Sequence, residues 1–524
     1  MAAGHSVDAG RWDAETNRLL DRMASRFPRV ETRRRIRGFV LGLLADLPRK
    51  NCWSIAEHAG DRDPHGMQYL LARASWDTDG VRDDLREYVV GALGDGDAVL
   101  VFDETGDLKK GTATVGAQRQ YTGTAGRIEN AQVAVYLTYA AARGHTLIDR
   151  ELYLPQSWAA DPQRLTDAGV PDHIDFLTKP ALATGMLTRA LHAGVPARWV
   201  AGDEVYGNDP GLRAECETQR IGYVLAIGCD RRVPTAAGLV RADALVTGLP
   251  RWAWQQLSAG SGAKGERFYD WAWITLTTGS SAMNGVDGTD TECRWLLVRR
   301  NQTTGELAFY RCYSPQIVPL RELVRVAGRR WTIEESFQTG KGLAGLDEHQ
   351  VRRWTSWQRW TLLAMIAHAL LTVIAANEHT DRPAPAGIIP LSCSEIRRLF
   401  TVLVVAPRQV LACPHAWSNW RRRHQHRART SHYRRQEQPE DGHNDLGGSG
   451  TGAVALIDGR SWRFHREFPR GSFRFDRGRR SVSSPRPSNR ACGSPAHGLP
   501  TFFTGGVRLS RRAAACAGRR SHRD

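Results

Sequence analysis

Apolar residues in the first 95 positions recur at helical spacing. Ile36, Phe39, Val40, Leu43 and Leu44 share one stripe of the stretch from Thr32 to Leu47, and Pro48 closes it. The segments CWSIAEHAG and HGMQYLLARASW follow as two short amphipathic pieces, which either form a helix-turn-helix-like pair or simply pack together. From about Asp97 to Tyr223 the pattern changes to alternating strands and helices. Two apolar runs end on an Asp and then reach a Gly: Ala98 to Phe102 before Asp103 and Gly106, and Trp199 to Gly202 before Asp203 and Gly207. Each reads as a buried strand of four or five residues, closed by a Gly that permits a tight turn. Between them, NAQVAVYLTYA and HTLIDRELYLP are strand-like and separated by a Gly turn, which predicts a hairpin; ALATGMLTRALHAGV predicts a helix leading into the second Asp strand.

Asp203 and Glu334 are separated by 130 residues, more than one crossover needs. GYVLAIGC, DWAWITLTTG, RWLLVRR and ELAFYRCY read there as short strands, broken by turns at SAGSGAKGE, GSSAMNGVDGTD and NQTTGE. The longest apolar stretch, Thr361 to Ala376, contains His368 and is short of the ~20 residues that span a bilayer, so it predicts a buried helix and no membrane partner.

The segment from Arg329 to Lys341 carries the densest candidate chemistry. On a helix, Glu334 lies about 40° round from Arg330, and Lys341 returns to within about 20° of it, whereas Glu335 points away. Ile333 and Phe337 flank this polar stripe and predict that it docks on a core, with Glu334 held between two cations. An ordinary surface Arg–Glu pair is the alternative. Asp103 and Asp203 are likewise open to a turn or helix-cap role. Together the three acids form a set of hard oxygen ligands suited to Mg²⁺ or Mn²⁺. A two-metal site of this kind activates a water or hydroxyl and stabilises the leaving oxygen of a phosphodiester.

With these residues in view, the chain resembles the DDE transposases of bacterial insertion sequences. One branch of that family shows Tyr, two residues, Arg, three residues, Glu, six residues, Lys; Arg330, Glu334 and Lys341 match the spacing, and Ala327 stands at the Tyr position. VFDETGDLKKG, QYTGTAGRIENAQVAVYLTYA, LYLPQSW and GLDEHQVRRWTSWQRWTLLAMIAHALL read like the same family, over roughly residues 29–436. The resemblance implies an α/β protein, a ribonuclease H-like mixed sheet with a β-rich insertion and an N-terminal helical domain; beyond Glu437, where the resemblance stops, Gly, Ser, Pro and Arg without periodicity predict a disordered basic tail. The order of three strands, helix, and strand ending on Asp agrees with that sheet. The expected organisation is a helical DNA-binding region at 1–95, core at 96–223, insertion at 224–320, second core part with the Glu helix at 321–380, basic region at 381–436, and disordered extension at 437–524.

On this resemblance Asp103, Asp203 and Glu334 are the catalytic residues and metal ligands for two Mg²⁺ or Mn²⁺ ions. Arg330 and Lys341 are expected to contact DNA, as are Lys109, Lys110 and Arg127 from a local basic patch that a solvated face would also explain. Relatives use an aromatic of the insertion to accept a flipped base, which makes Trp252, Trp254, Trp271, Trp273 and Trp295 candidates by type. Expected partners are double-stranded DNA, as terminal inverted repeats and as target, and a second copy of the chain in a synaptic homodimer. The expected location is the bacterial cytoplasm, at the nucleoid. A catalytically decayed DNA-binding protein and a metal-dependent nuclease without strand transfer are the other readings.

Charge refines this picture more than it supports it. The formal net charge is +17, but from Arg421 onward there are 23 Arg, no Lys and 8 acidic residues, a net of +15, leaving +2 for residues 1–420. Any nucleic-acid surface in the body must therefore be a local patch. The basic run WSNWRRRHQHRARTSHYRR is interleaved with aromatics and fits either DNA backbone contact or a solvated tail. The nine cysteines show no CxxC or Cys/His ligand spacing, which argues against a zinc site or a disulfide framework.

Overall fold

The computed structural model describes residues 7–262, 265–276, 293–385, 388–406 and 414–437. Five helices open the chain: α1 (Ala9–Arg22), α2 (Val30–Leu44), α3 (Cys52–His58), α4 (His65–Ala72) and α5 (Thr78–Leu93). Ile36, Phe39, Val40, Leu43 and Leu44 are all buried, as their spacing predicts. The pair α3 and α4 packs on α2 and on each other.

A sheet follows. β1 (Val99–Leu108), β2 (Gln118–Thr122), β3 (Arg127–Ala141) and β4 (Gly144–Leu152) precede three helices, α6 (Gln156–Ala159), α7 (Pro162–Ala168) and α8 (Lys179–His192). Then come β5 (Trp199–Gly202), α9 (Glu204–Gly207), α10 (Pro210–Thr218) and β6 (Gly222–Ile227). β1, β5 and β6 are parallel neighbours, β3 runs antiparallel to β1, and β4 pairs with β3, giving the order β4-β3-β1-β5-β6. That mixed sheet is consistent with a ribonuclease H-like fold.

β7 (Arg232–Thr235) and β8 (Gly238–Arg241) form a separate hairpin, followed by α11 (Ala242–Val246). β9 (Gln255–Gly262), β10 (Gly265–Thr275), β11 (Cys293–Arg300) and β12 (Leu307–Ser314) then extend the core sheet, because β12 pairs antiparallel with β6. SAGSGAKGE was expected as a turn, yet Ser258–Gly262 lie within β9, paired with β10. Glycine and serine are poor strand formers, and here backbone pairing with a neighbouring strand overrides propensity. NQTTGE is a turn, with Gly305 at φ 71; GSSAMNGVDGTD lies outside the described residues.

Helices α12 (Leu320–Arg329), α13 (Trp331–Ala344) and α14 (Trp354–Asp381) return to the core. α14 is longer than the apolar stretch predicts; it is apolar enough to cross a membrane by length and composition, but its most apolar window is 94% buried within the protein. His368 sits inside it, with Nδ1 3.1 Å from Thr146 Oγ1 and Nε2 2.8 Å from Thr339 Oγ1, so its polar ring is satisfied in the core. Strand alternation places β4 between two helical layers: Arg150 hydrogen-bonds to the carbonyl of Gln358 on α14, while Asp149 and Glu151 reach Arg189 on α8. α15 (Cys393–Phe400) packs on α14, and α16 (Pro414–Glu437) crosses the division between a compact unit ending at Trp417 and one starting at Ser418. The extension expected at 437–524 falls almost wholly outside the described residues.

Candidate functional site

The parallel register of β1 and β5 sets Phe102 opposite Gly202. The next residue on each strand is an Asp, so Asp103 and Asp203 become neighbours although 100 positions separate them in the chain. They are presented differently. β5 stops at Gly202, and Asp203 caps α9, its Oδ1 accepting from Val205 N at 2.9 Å. β1 does not stop: it runs on to Leu108, paired with β3 along its whole length, so Asp103 is a mid-strand residue.

The two glycines thus have another purpose than the expected tight turns. Gly106 lies within β1, where a Cβ would collide with Thr122 Oγ1, and Gly207 ends α9, where a Cβ would overlap the carbonyl of Ala226 on β6. Neither has a positive φ. Both are there for close approach of neighbouring chain.

Alternation along β1 sends Asp103, Thr105 and Asp107 to one face and Glu104 to the other. On the first face lies α13, and the expected polar stripe is laid along β1. Four strand residues span about 13 Å and eleven helical residues about 16 Å, so two cations at the ends of the stripe can meet two carboxylates of the strand. Arg330, at the junction of α12 and α13, places Nη2 3.0 Å from Glu334 Oε1 and Nη1 3.6 Å from Asp103 Oδ2. Lys341 places Nζ 3.5 Å from Asp107 Oδ1.

The expectation that Glu334 sits between two cations therefore needs correction. Arg330 serves Glu334; Lys341 serves Asp107. Glu335 faces elsewhere, 3.2 Å from His145 Nε2, as the helical phase predicts.

The carboxylates at the first position are electrostatically crowded. Burial, and then the charge of Asp203, push the Asp103 carboxyl well above the usual range, with Arg330 opposing. Burial and the charge of Glu104 raise Asp203 likewise. Burial disfavours the charge on Arg330, but Asp103 and Glu334 outweigh it, and Asp203 adds a smaller attraction. On the opposite face of β1, Glu104 is fixed by Lys179 Nζ at 2.6 Å and Tyr206 Oη at 2.8 Å.

The second position is a buried polar knot. Asp107 accepts from His349 Nε2 at 3.0 Å, is ion-paired with Lys341, whose ammonium donates to the Gly106 carbonyl, and lies 4.0 Å from Lys109 Nζ. Burial alone would raise its carboxyl; the His349 hydrogen bond and the lysine charges outweigh that and hold it at about 2. His349 is itself pushed down by burial and by Lys109, so it contributes chiefly a hydrogen bond rather than a full charge. Lys109, expected on a DNA-binding patch, is turned inward, with its ammonium 3.4 Å from the His349 carbonyl. Lys110 is exposed, and Arg127 is exposed but bonded to Glu129 at 2.7 Å. The patch expected of Lys109, Lys110 and Arg127 therefore does not form as one surface.

Glu104, Lys179, Tyr206, Asp107 and His349 carry no role in the sequence reading. One signal was available: in both segments the key Asp is followed directly by Glu, and Asp107 and His349 fall within the quoted VFDETGDLKKG and GLDEHQ stretches. Of the five tryptophans, Trp271 and Trp295 are buried, Trp273 stacks on Trp295, and Trp254 lies beneath the Arg300 guanidinium; Trp252 is 83% exposed. Ala327 is buried on α12, one turn before Arg330.

The donor chemistry at the first position suits a hard divalent cation, since Asp103 and Asp203 are like charges pressed together out of water, and a cation relieves such crowding. Glu334 is turned to Arg330. Among the described residues, no three His, Cys, Asp or Glu side chains converge as a ligand group.

Residues 22–258 match the profile of the DDE superfamily endonuclease family, a span that includes Asp103 and Asp203 and ends before Glu334. A protein of Microchaete diplosiphon, described as a probable transposase for insertion sequence element IS701, is 29% identical over 205 residues, which are 39% of this chain and 51% of that protein. The chain thus spans about half the length of this curated relative. A solved structure of the piggyBac transposase synaptic complex with hairpin DNA aligns with 80% of this chain and 86% of its own, at 10% identity and a TM-score of 0.37.

Proposed function

We propose, from the match of residues 22–258 to the DDE superfamily endonuclease profile, that this chain is a DNA transposase that cuts DNA at the ends of an insertion sequence and joins those ends to a target. The observation that carries the proposal is the β1–β5 register, which makes Asp103 and Asp203 neighbours beneath the helix that brings Glu334.

Enzymes of this superfamily use divalent metals, and Asp103, Asp203 and Glu334 would hold them here, two Mg²⁺ or Mn²⁺ ions being our assignment. Bound there, such ions supply an activated oxygen nucleophile and stabilise the leaving oxygen. The chain's own contribution is to fix the acids. Asp103 is held by the full-length pairing of β1 with β3, and Asp203 by its cap on α9. Tyr206 and Lys179 anchor Glu104, whose charge bears on both Asp103 and Asp203. Arg330 is the cation we assign to phosphates near the scissile bond. Lys341 would hold the DNA-facing helix on β1 through Asp107. The partners we assign are the terminal inverted repeats, a target duplex and a second copy of the chain, with action at the bacterial nucleoid.

The test is nicking of a duplex that carries the inverted repeats flanking the gene, with Mg²⁺ or Mn²⁺. Asp103→Asn and Glu334→Gln should each lower cleavage by at least about 1,000-fold while leaving end binding intact. Cleavage that survives either change rejects the site. Cleavage without strand-transfer products identifies a nuclease instead. End binding without any nicking identifies a decayed binding protein, a reading that Ala327 at the family's Tyr position favours.

A further inference from the structure

We propose that Arg330 is a built-in counter-ion that occupies the carboxylate site and must withdraw before a divalent ion enters. This rests on the metal reading of Asp103, Asp203 and Glu334 given above. Two ion pairs carry it: the guanidinium lies 3.6 Å from Asp103 and 3.0 Å from Glu334, bridging the strand acid and the helix acid. These are the carboxylates that would turn toward a shared ion; among the described residues no three acids converge as a ligand group, and Arg330 is paired with two of these.

The physical case is one of competition for the same charges. Asp103 and Asp203 repel one another in a desolvated place, and some cation has to offset that repulsion for the fold to tolerate it. Before metal arrives, Arg330 provides that offset. A guanidinium does not lose its proton at any working pH, so it cannot be neutralised in place. It can only move. Its position at the α12–α13 junction permits this, because Arg330 is the one residue between two helices, and its side chain keeps 24% exposure toward solvent. Withdrawal would free Glu334 at the same moment that it frees Asp103. The released guanidinium is then available to a DNA phosphate, which makes substrate binding and metal entry favour one another.

The opposite role would be positioning, in which Arg330 holds Glu334 ready for metal. The two roles predict opposite changes in metal affinity. Mn²⁺ binding to the full chain, without DNA, is followed by electron paramagnetic resonance of the free ion for wild type, Arg330→Gln, Arg330→Lys and Asp103→Asn. The expected result is about 10-fold tighter binding for Arg330→Gln and about 3-fold for Arg330→Lys, whose ammonium cannot bridge both carboxylates, with binding lost in Asp103→Asn. Unchanged or weaker Mn²⁺ binding in Arg330→Gln, with Asp103→Asn still losing it, overturns the counter-ion role and leaves the metal site standing. If Arg330→Gln gives no cooperative melt, Arg330→Lys decides by the same criterion. Equal binding by wild type and Asp103→Asn rejects the metal site and the counter-ion role with it.

Discussion

Asp107 is as informative as the acids proposed for chemistry, because nearly all of its environment is long-range. Its carboxyl is lowered from an ordinary 3.8 to about 2 by His349, Lys109 and Lys341, against the opposing effect of burial. An acid whose folded value is depressed stabilises the fold fully above its unfolded value, and loses that contribution as pH falls through the folded one. The window is therefore pH 4 down to 2, and the shift is worth on the order of 2 kcal/mol. Asp107→Asn should lower stability at pH 7 by about 2 to 4 kcal/mol, since it also leaves two lysines without their acid. In urea melts the gap between variant and wild type should narrow as pH falls from 4 toward 2. A gap that stays constant over that range would show that lost packing, not charge, is responsible. The sequence contained Asp107, Lys109 and Lys341 in plain sight, but nothing local in it joins β1 to a loop His 242 positions away.

At the scale of elements, periodicity located the strands and helices while close approach decided their small residues. Gly207 and Gly328 show this. A Cβ at Gly207 would overlap the Ala226 carbonyl, and one at Gly328 would overlap the Ala259 carbonyl, so α9 rides on β6 and α12 on β9 at backbone contact. Gly207→Ala should cost about 3 kcal/mol or more, because backbone rather than a flexible side chain must yield. Gly91, inside α5, has nothing within 4 Å of the same added atom. Gly91→Ala should stabilise by about 0.5 to 1 kcal/mol, through a less free unfolded chain and better helix propensity. Thermal melts of the pair separate the two effects, and equal destabilisation would contradict the packing account. β1 makes the related point: Asp-Glu-Thr-Gly reads as a turn by propensity, yet pairing with β3 from Val99 to Leu108 keeps it a strand.

Over the whole molecule, net charge is concentrated toward one end of the chain. Residues 1–420 carry +2 and the remainder +15. α16 displays Arg422, Arg423, His426 and Arg427 together on its surface, with Trp420 stacked on His424. A version ending at Trp420 should therefore lose most of its affinity for random duplex DNA, and its plot of log affinity against log salt should flatten, because fewer phosphates are neutralised. Filter binding across a salt series measures both. An unchanged slope would move the dominant DNA contacts into the body, to local patches such as Arg33, Arg34 and Lys110.

The sequence by itself determined the strand–helix order, the two apolar runs that lead to Asp103 and Asp203, and the helical phase that sets Glu334 beside Arg330 and turns Glu335 away. These are properties of a single strand or helix axis, where spacing along the chain is spacing in space. Only the tertiary structure decided that Lys341 belongs to Asp107, that Lys109 turns inward, that β9 to β12 join the core sheet, and that Arg330 bridges Asp103 and Glu334. Those outcomes depend on register between strands and on the match between strand rise and helix rise, and neither is written within one segment.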